Sequence, residues 1–301
     1  MSSITTTGSL PQALIPGIRR FFGDEYNRHP MQFMEVFEKA STNRAYEDEV
    51  EMINLGYAPE KKEGSATKYT AVKQGTTYRT GMVPYSLGVI ITKEALADNL
   101  YMGQARIGSK KIARAMAKTK NVVGAALLNR GFDSAYARAD GVELFSAAHP
   151  DATGGTQSNL LAADLSHAAL QDAVILARKT NENDGTPVEN PTRKLIVPED
   201  LSFVATTLLE SIQRSGTANN DINDLREQNV FPDGVATLRY LTNQSAWFIK
   251  NDLCDATYYE RTAIEVGEDL EFDSGNVKVK AYERYAFSIN EFRGFIGSLA
   301  A

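Results

Sequence analysis

The chain has 301 residues, 43% of them hydrophobic and 23% charged, with a net charge of −6. This balance fits one large or two modest soluble domains and argues against a dedicated nucleic-acid binder. The single cysteine, Cys254, excludes an intrachain disulfide framework and a cysteine-based zinc site. No run of about 18 apolar residues is present to span a membrane, and the N-terminus lacks the basic-then-apolar order of a signal peptide.

In chain order, residues 1–30 read as an arm: a polar run from Ser2 to Thr7, then Pro11 and Pro16, which deter long helices. Its bulky groups Leu14, Ile15, Ile18, Phe21 and Phe22 have little local structure to bury them. Either another subunit covers them or the arm folds back on its own core. Met31 to Met52 reads as helix-rich. Asn54 to Ile91 is rich in Gly, Thr, Tyr and Lys, with alternation around Val72 and Tyr78 and turn chemistry at Gly64 and Gly75. A lone hairpin is marginal in water, so this polar, two-stranded excursion is expected to lie on a neighbour or be mobile.

From Thr92 to Arg130 runs a proline-free stretch rich in Ala, Leu, Lys and Arg, capped by Thr92 and stopped by Gly131. As one helix it would be about 50 Å long. Its apolar stripe changes side, from Leu96, Leu100, Gly103 and Ile107 to Ile112, Met116, Val123 and Leu127. Either the helix packs on two bodies, or Gly103 and Gly108 kink or divide it. Lys110, Arg114 and Lys118 form a basic stripe four residues apart. It reads as a solvated face or as contact with nucleic acid or an acidic neighbour.

A loop region with His149 follows, then a helix HAALQDAVILARKT capped by Asp164 or Ser166, with Leu170, Val174 and Ala177 on one face. A buried strand RKLIVP leads into the helix PEDLSFVATTLLESIQ, and Gly216 to Asp233 reads as a surface loop. The remainder reads as strands, with Val277, Val279 and Ala281 alternating with lysines and Tyr285, Phe287 and Ile289 continuing the alternation. Helices and antiparallel strands are segregated, which gives an α+β fold.

No local motif builds an active site. His29, His149 and His167 are scattered without metal-ligand spacing, and no phosphate-binding or nucleophile motif occurs. His149 reads as a loop histidine satisfied by the backbone, and Cys254 as a packed or inert residue. Catalytic, cofactor and metal residues are all expected to be absent.

The order of elements resembles the HK97-type major capsid proteins of tailed bacteriophages: apolar arm, polar β-excursion, very long helix, then an α/β body closed by antiparallel strands. RKLIVPEDLSFVATTLLES resembles the strand-proline-helix element of their axial domain, and VKVKAYERYAFSINEFRGFIGSL resembles their closing strands. DGVELFSAAHP resembles the corresponding stretch of Mu-like major head subunits. The resemblance implies an N-terminal arm at 1–50, an extended E-loop at 51–92, and a peripheral domain with the spine helix at 93–160 and 262–292. The axial domain would take 161–261 and 293–301.

It further implies a non-enzymatic shell protein assembling into pentamers and hexamers around double-stranded DNA, without sequence-specific binding. Scaffold and portal partners, assembly in the host bacterial cytoplasm and residence in the virion follow, with no membrane contact. Residues expected at subunit contacts are the five apolar arm groups and Lys61, Lys62, Lys68, Tyr69, Lys73 and Tyr78 of the excursion. None of the lysines is expected to cross-link. The alternative on the same fold is an encapsulin-like cellular compartment.

Overall fold

The computed structural model describes residues 11–94, 101–152, 154–214 and 221–299. Two mixed sheets organise it. The first has four strands in the order β1-β11-β12-β4: β1 Glu38–Ser41, β4 Val83–Ile91, β11 Ala256–Leu270 and β12 Val277–Ile289. Helix α1 (Pro11–Arg28) and helix α2 (Tyr101–Asn129) pack on this part of the molecule. The second has five strands in the order β7-β13-β10-β8-β9: β7 Leu160–Leu161, β8 Thr192–Val197, β9 Val235–Thr237, β10 Trp247–Asn251 and β13 Phe295–Ser298. Helices α3 (His167–Arg178) and α4 (Ser202–Glu210) pack against it.

The long hairpin β11–β12 pairs from Ala256↔Ile289 out to Leu270↔Val277. Its alternation buries Val279, Ala281, Tyr285 and Phe287 toward the helices. One inward position breaks the apolar pattern: Glu283 is fully buried and meets Lys120 of α2 at 2.8 Å. The Tyr26 hydroxyl donates to the same carboxylate at 3.2 Å. The Lys120 ammonium also lies 5.3–5.6 Å from the rings of Tyr26, Tyr258 and Tyr285. Burial pushes the Glu283 carboxyl up, while the Lys120 charge and hydrogen bond oppose it.

Helix α2 spans 29 residues and passes through Gly103 and Gly108 without division. Its second stripe behaves as expected: Ile112 and Met116 are buried, and Val123 and Leu127 pack on the main core. Of the first stripe, Leu96 and Leu100 lie outside the described residues, as does the side of Gly103, and Ile107 is exposed. Gly124 lets the helix approach the sheet, since a Cβ there would meet Phe33 at 3.0 Å and Phe287 at 3.3 Å. The end of the helix at Gly131 has a packing reason: a Cβ would come within 2.5 Å of the Phe145 ring.

Four expectations are corrected. The prolines do not break the arm: Pro11 opens an 18-residue helix and Pro16 lies inside it, at the loss of one backbone hydrogen bond. Residues 31–52 are not helical beyond a 3₁₀ turn at Gln32–Glu35; β1 and a strand β2 (Tyr46–Ile53) follow. Glutamates occupy the half-buried positions of β2, so the strand's alternation is inverted in polarity and invisible to a hydrophobic pattern. The excursion is divided: β2 pairs with β3 (Lys73–Gly81) as a separate two-stranded hairpin, whereas β4 joins the four-stranded sheet along β12. Finally, 216–233 is not all surface, because a short helix α5 (Asp224–Glu227) buries Leu225, and Val230 and Phe231 follow it into the core.

Elsewhere sequence and structure agree. Ser166 caps α3, accepting from the Ala169 amide at 3.2 Å, and Leu170, Val174 and Ala177 are buried. Leu195, Ile196 and Val197 of β8 are fully buried.

Candidate assembly surfaces

The arm contacts its own chain. Phe22 and Tyr26 of α1 pack against Ile112, Ala113, Met116 and Ala117, and Phe21 is half-buried. The side chains of Leu14, Ile15 and Ile18 lie outside the described residues. Arg114 of the basic stripe is exposed but committed to Glu25 of α1 at 2.9 Å. That hydrogen bond, more than any other influence, holds the Glu25 carboxyl below the usual range. Lys110 is half-buried and Lys118 exposed, so the stripe is a helix–helix seam at its centre and a solvent face at Lys118.

The hairpin and the segment between its strands are uncovered. Between β2 and β3, residues 54–72 form no strand, and Lys61, Lys62 and Lys68 are exposed, as is Lys73 at the start of β3. Tyr69 is 91% exposed, and Met52, Leu55, Tyr57 and Val72 are also open. The hairpin is stiffened at its base by Arg79, which forks onto Asp48 at 2.6 and 2.8 Å and lies 4.3 Å over the Tyr46 ring. Further open apolar groups are Phe203 and Val204 in the first turn of α4 and Ile212 and Ile222 after its end. A groove of about 410 Å³ along α2 is lined by Val122, Leu127, Tyr136 and Ile289, with Arg130 and Arg138 at its walls.

The root of the hairpin is polar. Glu51 meets Arg293 at 3.4 Å and bonds Asn183; Arg293 also pairs with Glu291 at 2.8 Å and donates to the Asn181 carbonyl. Glu49 accepts from the Tyr259 hydroxyl and from Asn290. Burial first, then the hydrogen bond and charge of Asp255, raise the Glu49 carboxyl to about 7. Tyr78, half-buried on β3, lies beneath the Arg138 guanidinium at 4.9 Å, and burial pushes its hydroxyl up to about 12. Sequence alone singles out Tyr78 and reads the acidic run Glu47 to Glu51 as a solvated face, whereas Glu47, Glu49 and Glu51 are half-buried. The available signal was the run of glutamates at alternate positions 47, 49 and 51.

The three histidines are far from being a site. His149 is fully buried and stacks on Phe292 at 3.9 Å. Side chains, not the backbone, satisfy it: Nδ1 lies 2.9 Å from Asp140 and Nε2 3.1 Å from Asn159 Oδ1. His167 pairs with Asp224 at 2.7 Å and His29 with Glu25 at 3.4 Å. Burial pushes the Cys254 thiol up to about 12, which leaves it unreactive. Among the described residues, no group of three His, Cys, Asp or Glu side chains is placed to hold a metal ion, and no helix is long and apolar enough to cross a membrane.

Two sheets, a long helix beside one of them, and a separate hairpin with uncovered apolar groups make up the described architecture. The sequence pattern of the phage capsid protein family matches residues 78–298, from the end of β3 to β13, and the chain belongs to that family. No curated protein sequence matches it. Among solved structures, the procapsid protein of bacteriophage JBD30 is similar at 12% identity and TM-score 0.54, over 97% of this chain and 76% of that one. Mycobacterium phage Patience gives 10% identity and TM-score 0.53, over 98% and 88%. A virus-like particle from Pyrococcus furiosus gives 8% identity and TM-score 0.52, over 94% and 98%. The chain spans 65% of the length of a further JBD30 capsid chain. The fold is that of the HK97-type capsid proteins, and the chain is a phage-type structural capsid protein.

Proposed function

We propose that the chain is the major head protein of a tailed phage or prophage, self-assembling into pentamers and hexamers of an icosahedral shell around double-stranded DNA. The observation that carries this reading is the family match across 78–298, which takes in the spine helix, the five-stranded sheet and all of the four-stranded sheet but β1. Uncovered apolar groups on the hairpin, in the first turn of α4 and after it support it, because in a shell such surfaces become interface. On this reading the chain is no enzyme, works with scaffold and portal proteins, is assembled in the host cytoplasm and resides in the virion. The stretch around Leu144 and His149 aligns it with the Mu-like branch.

The domain partition follows the same reading. The hairpin 46–81 is the core of the E-loop, the four-stranded sheet with α2 the peripheral domain, and the five-stranded sheet the axial domain. Lys61, Lys62, Lys68, Tyr69, Lys73 and Tyr78 would then meet the adjacent copy. A cellular compartment shell built on the same fold is the less favoured second reading. Light scattering on the purified chain, with and without its scaffold partner, tests assembly, and particles of capsomer mass or larger are expected. Particles that enclose a protein cargo and exclude DNA would favour the compartment.

A further inference from the structure

We propose that the β2–β3 hairpin is held on the body of its own chain by a proton-dependent latch, formed where the Glu49 carboxyl meets Asp255 and Asn290. The hairpin shares no backbone ladder with either large sheet. Side chains at its root therefore decide whether it stays down.

The groups around Glu49 are mostly acidic. Its own strand supplies Glu47 and Glu51, and Tyr78 stands opposite it on β3. Asp255, just before β11, hydrogen-bonds it, and Tyr259 on β11 donates to it. Asn290, after β12, donates to Glu49 and reaches Asp255 at 3.4 Å. Glu291 lines the same cavity of about 290 Å³. The nearby cations make their close contacts elsewhere: Arg293 with Glu51 and Glu291, and Arg138 with the Asn290 carbonyl and the Tyr78 ring, the charges of Asp140, Glu291 and Asp255 acting on Arg138 from longer range. Among the described residues, neither Glu49 nor Asp255 has an ion-pair partner.

Two carboxyls in hydrogen-bond contact without a cation share one proton. In the docked hairpin the Glu49 carboxyl titrates at about 7, against an ordinary value of 4.5. A group whose docked value is raised favours docking below its ordinary value and loses that contribution as pH rises through the raised one. The docking equilibrium therefore weakens between these two values, by at most about tenfold per pH unit. Release would free the hairpin for an adjacent copy; that consequence rests on the shell reading, whereas the latch itself does not.

Hydrogen exchange on the full, unassembled chain tests it, with each amide's protection normalised to its intrinsic rate at that pH. The wild-type amides of β2 and β3 should lose about tenfold or more in protection between pH 5.5 and 8, while β11 and β12 hold theirs. Glu49→Gln should flatten this dependence. Asp255→Asn, which removes the pair from the other side, should do the same and serves if the first variant does not fold. Wild-type protection independent of pH, or a folded variant that keeps the wild-type dependence, would overturn the latch and leave the shell reading untouched.

Discussion

Lys120 and Glu283 face each other where α2 crosses the sheet, both nearly or fully buried. A buried pair adds little over an apolar pair of the same shape, but breaking one is costly, because the remaining charge stays uncompensated. Lys120→Met should destabilise the chain by about 3–5 kcal/mol, and Lys120→Met with Glu283→Leu should recover most of that. Urea unfolding midpoints check both. His149 and Asp140 make a second buried contact. Burial works to raise Asp140, but the His149 hydrogen bond and charge outweigh it and hold the carboxyl below its ordinary 3.8. A lowered folded value contributes stability above the ordinary value and loses it on acidification. Stability should therefore fall as pH drops below about 4, and Asp140→Asn should show a shallower fall when midpoints are compared at pH 6 and pH 3.5.

At the scale of elements, the polypeptide was legible wherever burial follows apolar period. Helix α3, strand β8 and the β11–β12 hairpin obey that rule, with Glu283 the exception on β12, since their inward residues are mostly Leu, Val, Ile, Ala and aromatics. Strand β2 does not, because its half-buried residues include Glu47, Glu49 and Glu51: Glu49 bonds Tyr259 and Asn290 and Glu51 meets Arg293, each more than 200 positions away, while Glu47 is held locally by Thr42 and Arg44. Long-range polar pairing leaves no local periodicity, so the hairpin root was hidden while the hairpin itself was not. Helix α1 was hidden for a related reason: its stabilising surface belongs to α2. The exposed segment 54–72 makes few contacts with the body, among them the bond between Asn54 and Glu182. Replacing 55–71 with a short Gly-Ser turn should change unfolding free energy by less than about 1 kcal/mol while abolishing closed particles. Circular dichroism and sedimentation measure the two effects separately.

For the whole molecule, shell formation needs only modest contacts, since closure repeats each one many times. The apolar groups left open on the hairpin and on and after α4 are liabilities for a monomer and resources for a shell. The basic stripe adds a charge prediction. Because Arg114 holds α1, the clean test reverses Lys110 and Lys118 to glutamate; particles should still close but enclose less DNA, read from the ratio of absorbance at 260 and 280 nm.

The most direct measurement is cryo-electron microscopy of the chain assembled with its scaffold partner. Closed shells or rings of five and six copies, with residues 46–81 of each subunit lying across its neighbour, are the predicted result. A monodisperse dimer or tetramer at high concentration, with the hairpin solvent-exposed whether or not the scaffold is present, would contradict the account.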